Sequence, residues 1–149
     1  MKAVVYDEYA PDDNYARILK VKDIAEPKPK PNEVVFKVKA AALNYNDIWG
    51  MRGVPVAVPL PHVSGSDAAG DVIAVGEDVT NIKVGDRVVS HSNMSCRVCK
   101  ACTDGREFDC VKRTIWGFQT GPTWGAYQEI THLPEVNVLK IPDNVTYDE

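Results

Sequence analysis

From Glu33 to Ala41 the chain alternates. Val34, Phe36, Val38 and Ala40 fall on one face, and Glu33, Val35, Lys37 and Lys39 fall on the other. A period of two over that length predicts a strand with one face buried. Lys2 to Tyr6, with Val4 and Val5 β-branched, predicts a second strand, and Ile18 to Val21 alternates well enough to pair with it. Asp71 to Val75 predicts a strand closed by the turn at Gly76. Arg87 to Ser90 predicts another, entered through Gly85-Asp86, and Tyr127 to Thr131 and Val136 to Ile141 predict the last two. Between these runs the period breaks. Residues 25–33, AEPKPKPNE, carry Pro27, Pro29 and Pro31 at period two. That favours an extended, semi-rigid surface loop over an SH3-type ligand. In LNYNDIWGMRG, Asn44 or Asn46 caps a short helix running through Trp49, and Gly50 and Gly53 end it. A proline- and glycine-rich loop follows to Gly65. Short strands separated by turn residues, with two helical pieces at most, predict a mainly β domain, either a barrel or a sandwich.

Composition narrows the function. The 149 residues suffice for one domain with a core, and the formal net charge of −4 argues against nucleic acid as the main partner. The opening MKAVVYDEYAPDD lacks the pattern of a secretory signal, and no apolar run is long enough to span a bilayer. Reduced cysteines without an export signal make the cytosol the expected compartment. Pro142-Asp143-Asn144 stops a strand, and Thr146-x-x-Glu149 is a capping box, the pattern that opens a helix. The expectation is therefore that residues 1–149 are one domain of a longer protein.

All four cysteines stand in SCRVCKACTDGREFDC, at Cys96, Cys99, Cys102 and Cys110, spaced C-x2-C-x2-C-x7-C. Four thiolates so close in sequence can converge on one point, and zinc accepts four sulfurs tetrahedrally. Arg97, Lys100 and Arg106 are expected to favour the ionised thiols. An iron–sulfur cluster is a rival, but the ferredoxin run places its fourth cysteine after three residues and follows it with proline, whereas Val111 follows here. Disulfides and free thiols also compete with zinc. A site with four protein thiolates has no open position, so zinc here folds a lobe rather than doing chemistry.

The stretches AALNYNDIWGMRG (41–53), SGSDAAGDVIAVGEDV (64–79), VGDRVV (84–89), the cysteine lobe and WGAYQEI (124–130) occur in an order that resembles one family. It is the N-terminal, GroES-like catalytic domain of the medium-chain dehydrogenase/reductase superfamily. The resemblance implies a GroES-like β-barrel with short helices, a structural zinc in the lobe, and NAD(P)H bound on a separate Rossmann domain. The chain shows no G-x-G-x-x-G after a strand, so it is expected to be inactive alone. Homo-oligomerisation of the full-length protein is also implied.

Two departures shape the chemistry. Zinc-dependent members carry a cysteine where this chain has Asn44, and Gly-His-Glu where it has Gly65-Ser66-Asp67. Asparagine and serine are poor zinc ligands, so no catalytic zinc is expected, and His62 is out of register with the family histidine. The wording NYNDIW (44–49) and IWGFQT (115–120) is most similar to the crotonyl-CoA carboxylase/reductase group, whose carboxylating members place Phe-Glu where this chain has Phe118-Gln119. The resemblance implies a reductase of an enoyl-CoA-type double bond that need not carboxylate, acting on a small molecule such as an acyl-CoA. Asn44, Tyr45, Asn46, Phe118 and Gln119 are the candidate catalytic residues. Asn46 is the cofactor-facing candidate, Ser66 and Asp67 line the candidate substrate pocket, and Cys96, Cys99, Cys102 and Cys110 are the candidate metal ligands. Two rival functions fit the same residues: a zinc-dependent alcohol dehydrogenase with atypical ligands, and a non-enzymatic zinc-stabilised barrel. Trp49, Trp116 and Trp124 are expected in the core.

Overall fold

The computed structural model describes residues 1–149. Strands β1 (Lys2–Val5) and β2 (Lys20–Asp23) form an antiparallel pair. The second strand begins two residues later than its alternation predicts, because a 3-10 turn at Tyr15–Arg17 runs into Ile18. The 25–30 segment carries no helix or strand, and β3 (Glu33–Ala42) follows. The main sheet then adds β4 (Asp67–Val75) and β5 (Arg87–Ser90). After a two-residue strand β6 (Asn93–Met94) come the cysteine lobe and its partner β7 (Thr114–Ile115). The sheet is completed by β8 (Ile130–Pro134) and β9 (Val138–Lys140), in the order β8-β3-β4-β5-β9 with every pairing antiparallel. It curls into the half-barrel of a mainly β, GroES-like fold.

The alternation of β3 holds only in part. Val34 and Phe36 enter the main core with Val72, Val88, Trp116 and Leu133. Glu33 and Val35, expected outside, are buried as well. Both faces of the first half of β3 are covered, so period two cannot mark the solvent side there. Irregularities between Val35 and Phe36 and between Val38 and Ala40 further break the register. The strand expected at Tyr127 to Thr131 lies three residues later, at Ile130–Pro134. The Tyr127 backbone instead bonds to Val4 and Ser64, stitching β1 to the loop before β4. Of the tryptophans, Trp116 is core and Trp124 half-buried, but Trp49 is 37% exposed.

Helix α1 (Tyr45–Arg52) is capped by Asn44 and closed by Gly53 at φ 74°, where a left-handed backbone favours glycine. Gly50 lies inside the helix instead of ending it. Its absent side chain has a reason, since a Cβ there would sit 2.8 Å from the Tyr6 hydroxyl. The register of β3 against β4 pairs Ala42 with Asp67. The entry to α1 and the 64–66 loop are thereby delivered side by side.

Candidate active site and metal lobe

Where β3 leaves the sheet and β4 enters it, Asn44 Nδ2 donates to Asp67 Oδ2 at 2.9 Å. Ser66 beside them is 1% exposed, and its hydroxyl is buried without a hydrogen-bond partner. Beneath this pair lies a buried network. Asp47, at the third position of α1, accepts from the Asn44 backbone N–H at 2.8 Å and from the Gly65 N–H at 3.1 Å. The first of these is the reach-back half of a capping box. The Tyr127 hydroxyl donates to Asp47 at 2.6 Å. Burial, followed by the bond to Asp47, pushes the Tyr127 pKa well up, so it stays a donor. The Tyr6 hydroxyl lies 3.3 Å from Ser64 Oγ, and burial raises its pKa to about 12.

The loop positions are held by close backbone packing. Gly65 O accepts from Ala126 N at 2.9 Å. A Cβ on Gly117, at φ 72°, would fall 1.8 Å from Gly65 O. His62 is fully buried, its ring nitrogens each 3.1 Å from a carbonyl, of Pro59 and of Gly117. It is a structural bridge between the proline loop and the 117 turn.

Asn44, Tyr45, Ser66 and Asp67 are thus brought to one place, and Asn46 lies half-buried on the same helical turn. Phe118 and Gln119 make no hydrogen bond to this cluster. Phe118 packs in a second core cluster with Tyr6, Met51 and Val58, its ring 6.4 Å from that of Trp49. Gln119 is exposed, and its Oε1 accepts from the Ile115 N–H at 3.0 Å. Asp47 and Tyr127 were missed by sequence reasoning. The Asn44-x-x-Asp47 spacing signals the cap, but nothing local signals a hydroxyl eighty residues away.

In the lobe the four cysteine sulfurs all lie within 4.8 Å of one another. Cys96 and Cys102 sulfurs are 3.9 Å apart, and Cys99 and Cys102 sulfurs 3.5 Å. A tetrahedral zinc with Zn–S bonds of about 2.3 Å needs sulfur edges of about 3.8 Å, so the set fits one zinc. The expected cationic help is largely spent elsewhere. Arg97 pairs with Glu107, Lys100 with Asp104 and Arg106 with Asp109. Backbone N–H groups of Val98 and Cys99 instead pull the Cys96 thiol down to about 6, while burial pushes Cys102 up to about 11.

The alcohol dehydrogenase GroES-like domain matches residues 30–143. The chain belongs to that family, within the medium-chain dehydrogenase/reductase superfamily. The GroES-like domain is 34% identical over 137 residues to the crotonyl-CoA carboxylase/reductase of Cereibacter sphaeroides, covering 88% of this chain and 31% of that protein. To the L-threonine 3-dehydrogenase of Salmonella gallinarum it is 30% identical over 133 residues, covering 85% of this chain and 37% of that protein. Among solved structures, an NAD-dependent alcohol dehydrogenase superposes with a TM-score of 0.89 at 38% identity, covering 100% of this chain and 42% of that one. The chain thus spans about a third of the length of the curated relatives it matches.

Proposed function

We propose that this GroES-like domain is the catalytic domain of an NAD(P)H-dependent reductase of activated double bonds, working on an enoyl thioester without a catalytic metal. The observation that carries this is the 2.9 Å hydrogen bond between Asn44 and Asp67, at the positions the family uses for metal ligands. An amide and a carboxylate that satisfy one another leave no cluster of soft donors there, and the buried Ser66 hydroxyl is a weak ligand. Such a site can stabilise negative charge with N–H donors instead.

The nicotinamide, when bound, supplies a hydride to the β-carbon. The α-carbon takes its proton from solvent, and this chain orients the substrate and holds the charge that develops. Asn44 Nδ2 keeps a second N–H, which is available to the thioester oxygen as enolate charge develops. Asp67 holds that amide in orientation, and Asp47, fixed by Gly65 and Tyr127, holds the Asn44 backbone. The exposed rings of Tyr45 and Trp49, edge-to-face at 5.3 Å, offer an apolar wall that fits a flat ring beside Asn44 and Asn46. In the lobe, Cys96, Cys99, Cys102 and Cys110 would hold a structural zinc with no open position for this chemistry.

A second reading, a dehydrogenase using a metal with atypical ligands, is favoured by the threonine and alcohol dehydrogenase relatives and by the partly exposed Asp67 carboxylate. The test is steady-state kinetics of the full-length protein after exhaustive chelation. The reductase predicts NAD(P)H oxidation with an enoyl thioester, retained after chelation and lowered about 100-fold in kcat by Asn44→Ala, the scale of losing one oxyanion donor. Chelation-sensitive oxidation of an alcohol, with no enoyl reduction, would reject it.

A further inference from the structure

Between the β1–β2 hairpin and α1 lies a cavity of about 440 Å³. Its walls are Val4 and Leu19 on one side and Leu43, Ile48 and Met51 on the other. Most of its polar lining groups already have partners, the exceptions being the second N–H of the Asn44 amide and the Tyr45 hydroxyl at the rim. Tyr127 donates to Asp47, Tyr6 meets Ser64, and Asn44 gives its side-chain amide to Asp67. A ligand head group would find few open partners inside, whereas a hydrocarbon would gain contact with five apolar side chains. Met51 adds an adaptable wall, because a thioether side chain refits its shape at little cost. The rim exposes apolar surface that a ligand would cover, with Leu43 86% and Tyr45 59% exposed. Asn44 and Tyr45 also line the cavity. A molecule whose reacting end sits at Asn44 and Asp67 can therefore lay its tail directly into it.

We propose that this cavity receives the aliphatic tail of the substrate, so that the enzyme acts on medium-chain acyl groups in preference to the shortest ones. The proposal rests on the reading of Asn44 and Asp67 as the reaction centre, and it deepens that reading by naming the substrate class. Chain length is the natural discriminator. A cavity that buries hydrocarbon improves affinity by about four-fold for each methylene taken out of water.

The test is methyl and side-chain amide NMR on this chain, titrated with butanol, hexanol and octanol and then with butyryl- and octanoyl-pantetheine. The alcohols carry no thioester, so they report the cavity independently of any catalytic role for Asn44. The expected result is saturable shifts of the Ile48 and Met51 methyls that tighten with each methylene. Octanoyl-pantetheine should shift the Asn44 side-chain amide as well. Leu19→Trp fills the cavity from its rim and should abolish the shifts without changing thermal stability. Val21→Trp, on the exposed part of β2 outside the cavity, should leave them intact. Affinity independent of chain length, or Leu19→Trp binding like the parent, would overturn the cavity itself. Methyl shifts without any response at Asn44 would overturn its link to the reaction centre. Failure of the Asn44→Ala kinetics alone, with octanol still binding, would strike the catalytic reading and leave a hydrocarbon cavity standing.

Discussion

Asp47 accepts hydrogens from three directions while only 5% exposed: the Asn44 and Gly65 backbone and the Tyr127 hydroxyl. Each donor comes from a different part of the chain. One side chain therefore ties the start of α1 to the loop before β4 and to the segment before β8. Removing one donor leaves a buried acceptor short of a partner. Tyr127→Phe is expected to lower the unfolding free energy by about 1–2 kcal/mol, read from urea unfolding. It should also loosen the Asn44–Asp67 pair, seen as a narrowed amide dispersion at residues 44–47. An unchanged midpoint would remove Tyr127 from the support of the site. The candidate residues Asn44, Ser66 and Asp67 were legible because the family wording marks the positions. The Asp47–Tyr127 bond was not, since the sheet register and the packing of residues 64–65 on 126–127 create it, and neither is written locally.

At the scale of elements, strand ends marked by turn residues were the readable ones, as at Val75 before Gly76, whereas β4 starts four residues earlier than expected, at Asp67, and β9 two later, at Val138. Arg87 to Ser90, entered through Gly85-Asp86, lies where its pattern puts it. Unmarked strand starts slid, as those of β2, β4, β8 and β9 did, because neighbouring hydrogen bonds rather than periodicity decide where pairing starts. The cysteine lobe is the element least able to hold itself. It has one helical turn at Lys100–Thr103 and one 3-10 turn at Glu107–Asp109, while Val98, Phe108 and Val111 face solvent. With so little apolar burial, its order would come from the proposed zinc shared by the four sulfurs. Chelation is expected to erase the dispersed amide signals of residues 95–113 while those of β3, β4 and β5 persist. Loss of the sheet signals together with the lobe would mean that the metal folds the whole domain.

Across the whole molecule, the buried His62 and Glu33 and the half-buried His132 contribute to the response to acid. Burial is the largest influence on His62 and His132 and lowers both pKa values, against the opposing pull of carbonyls at His62 and of Glu33 at His132. A histidine depressed in the folded state takes up its proton more readily when unfolded. Its contribution to stability is therefore whole above the ordinary value of 6.5 and is lost as pH falls through the folded value. For Glu33 burial acts upward, but its bonds to Lys30 and the nearby His132 outweigh it and leave the pKa lowered. That contribution is whole above 4.5 and is lost below it. All three act in one direction. The unfolding free energy should be level between pH 7 and 8 and decline below about 6.5, and His132→Gln should make the decline shallower. A rise in stability on acidification to pH 5 would contradict this assignment.

The central claim is that the family's metal position is occupied by a hydrogen-bonded amide–carboxylate pair, while the four-cysteine lobe keeps its metal. Elemental mass spectrometry of the purified, tag-free protein tests it most directly. One zinc per chain is predicted, lost in Cys96→Ser and retained in Asp67→Ala. Two zincs per chain, one of them lost in Asp67→Ala, would contradict it and make Asp67 a metal ligand.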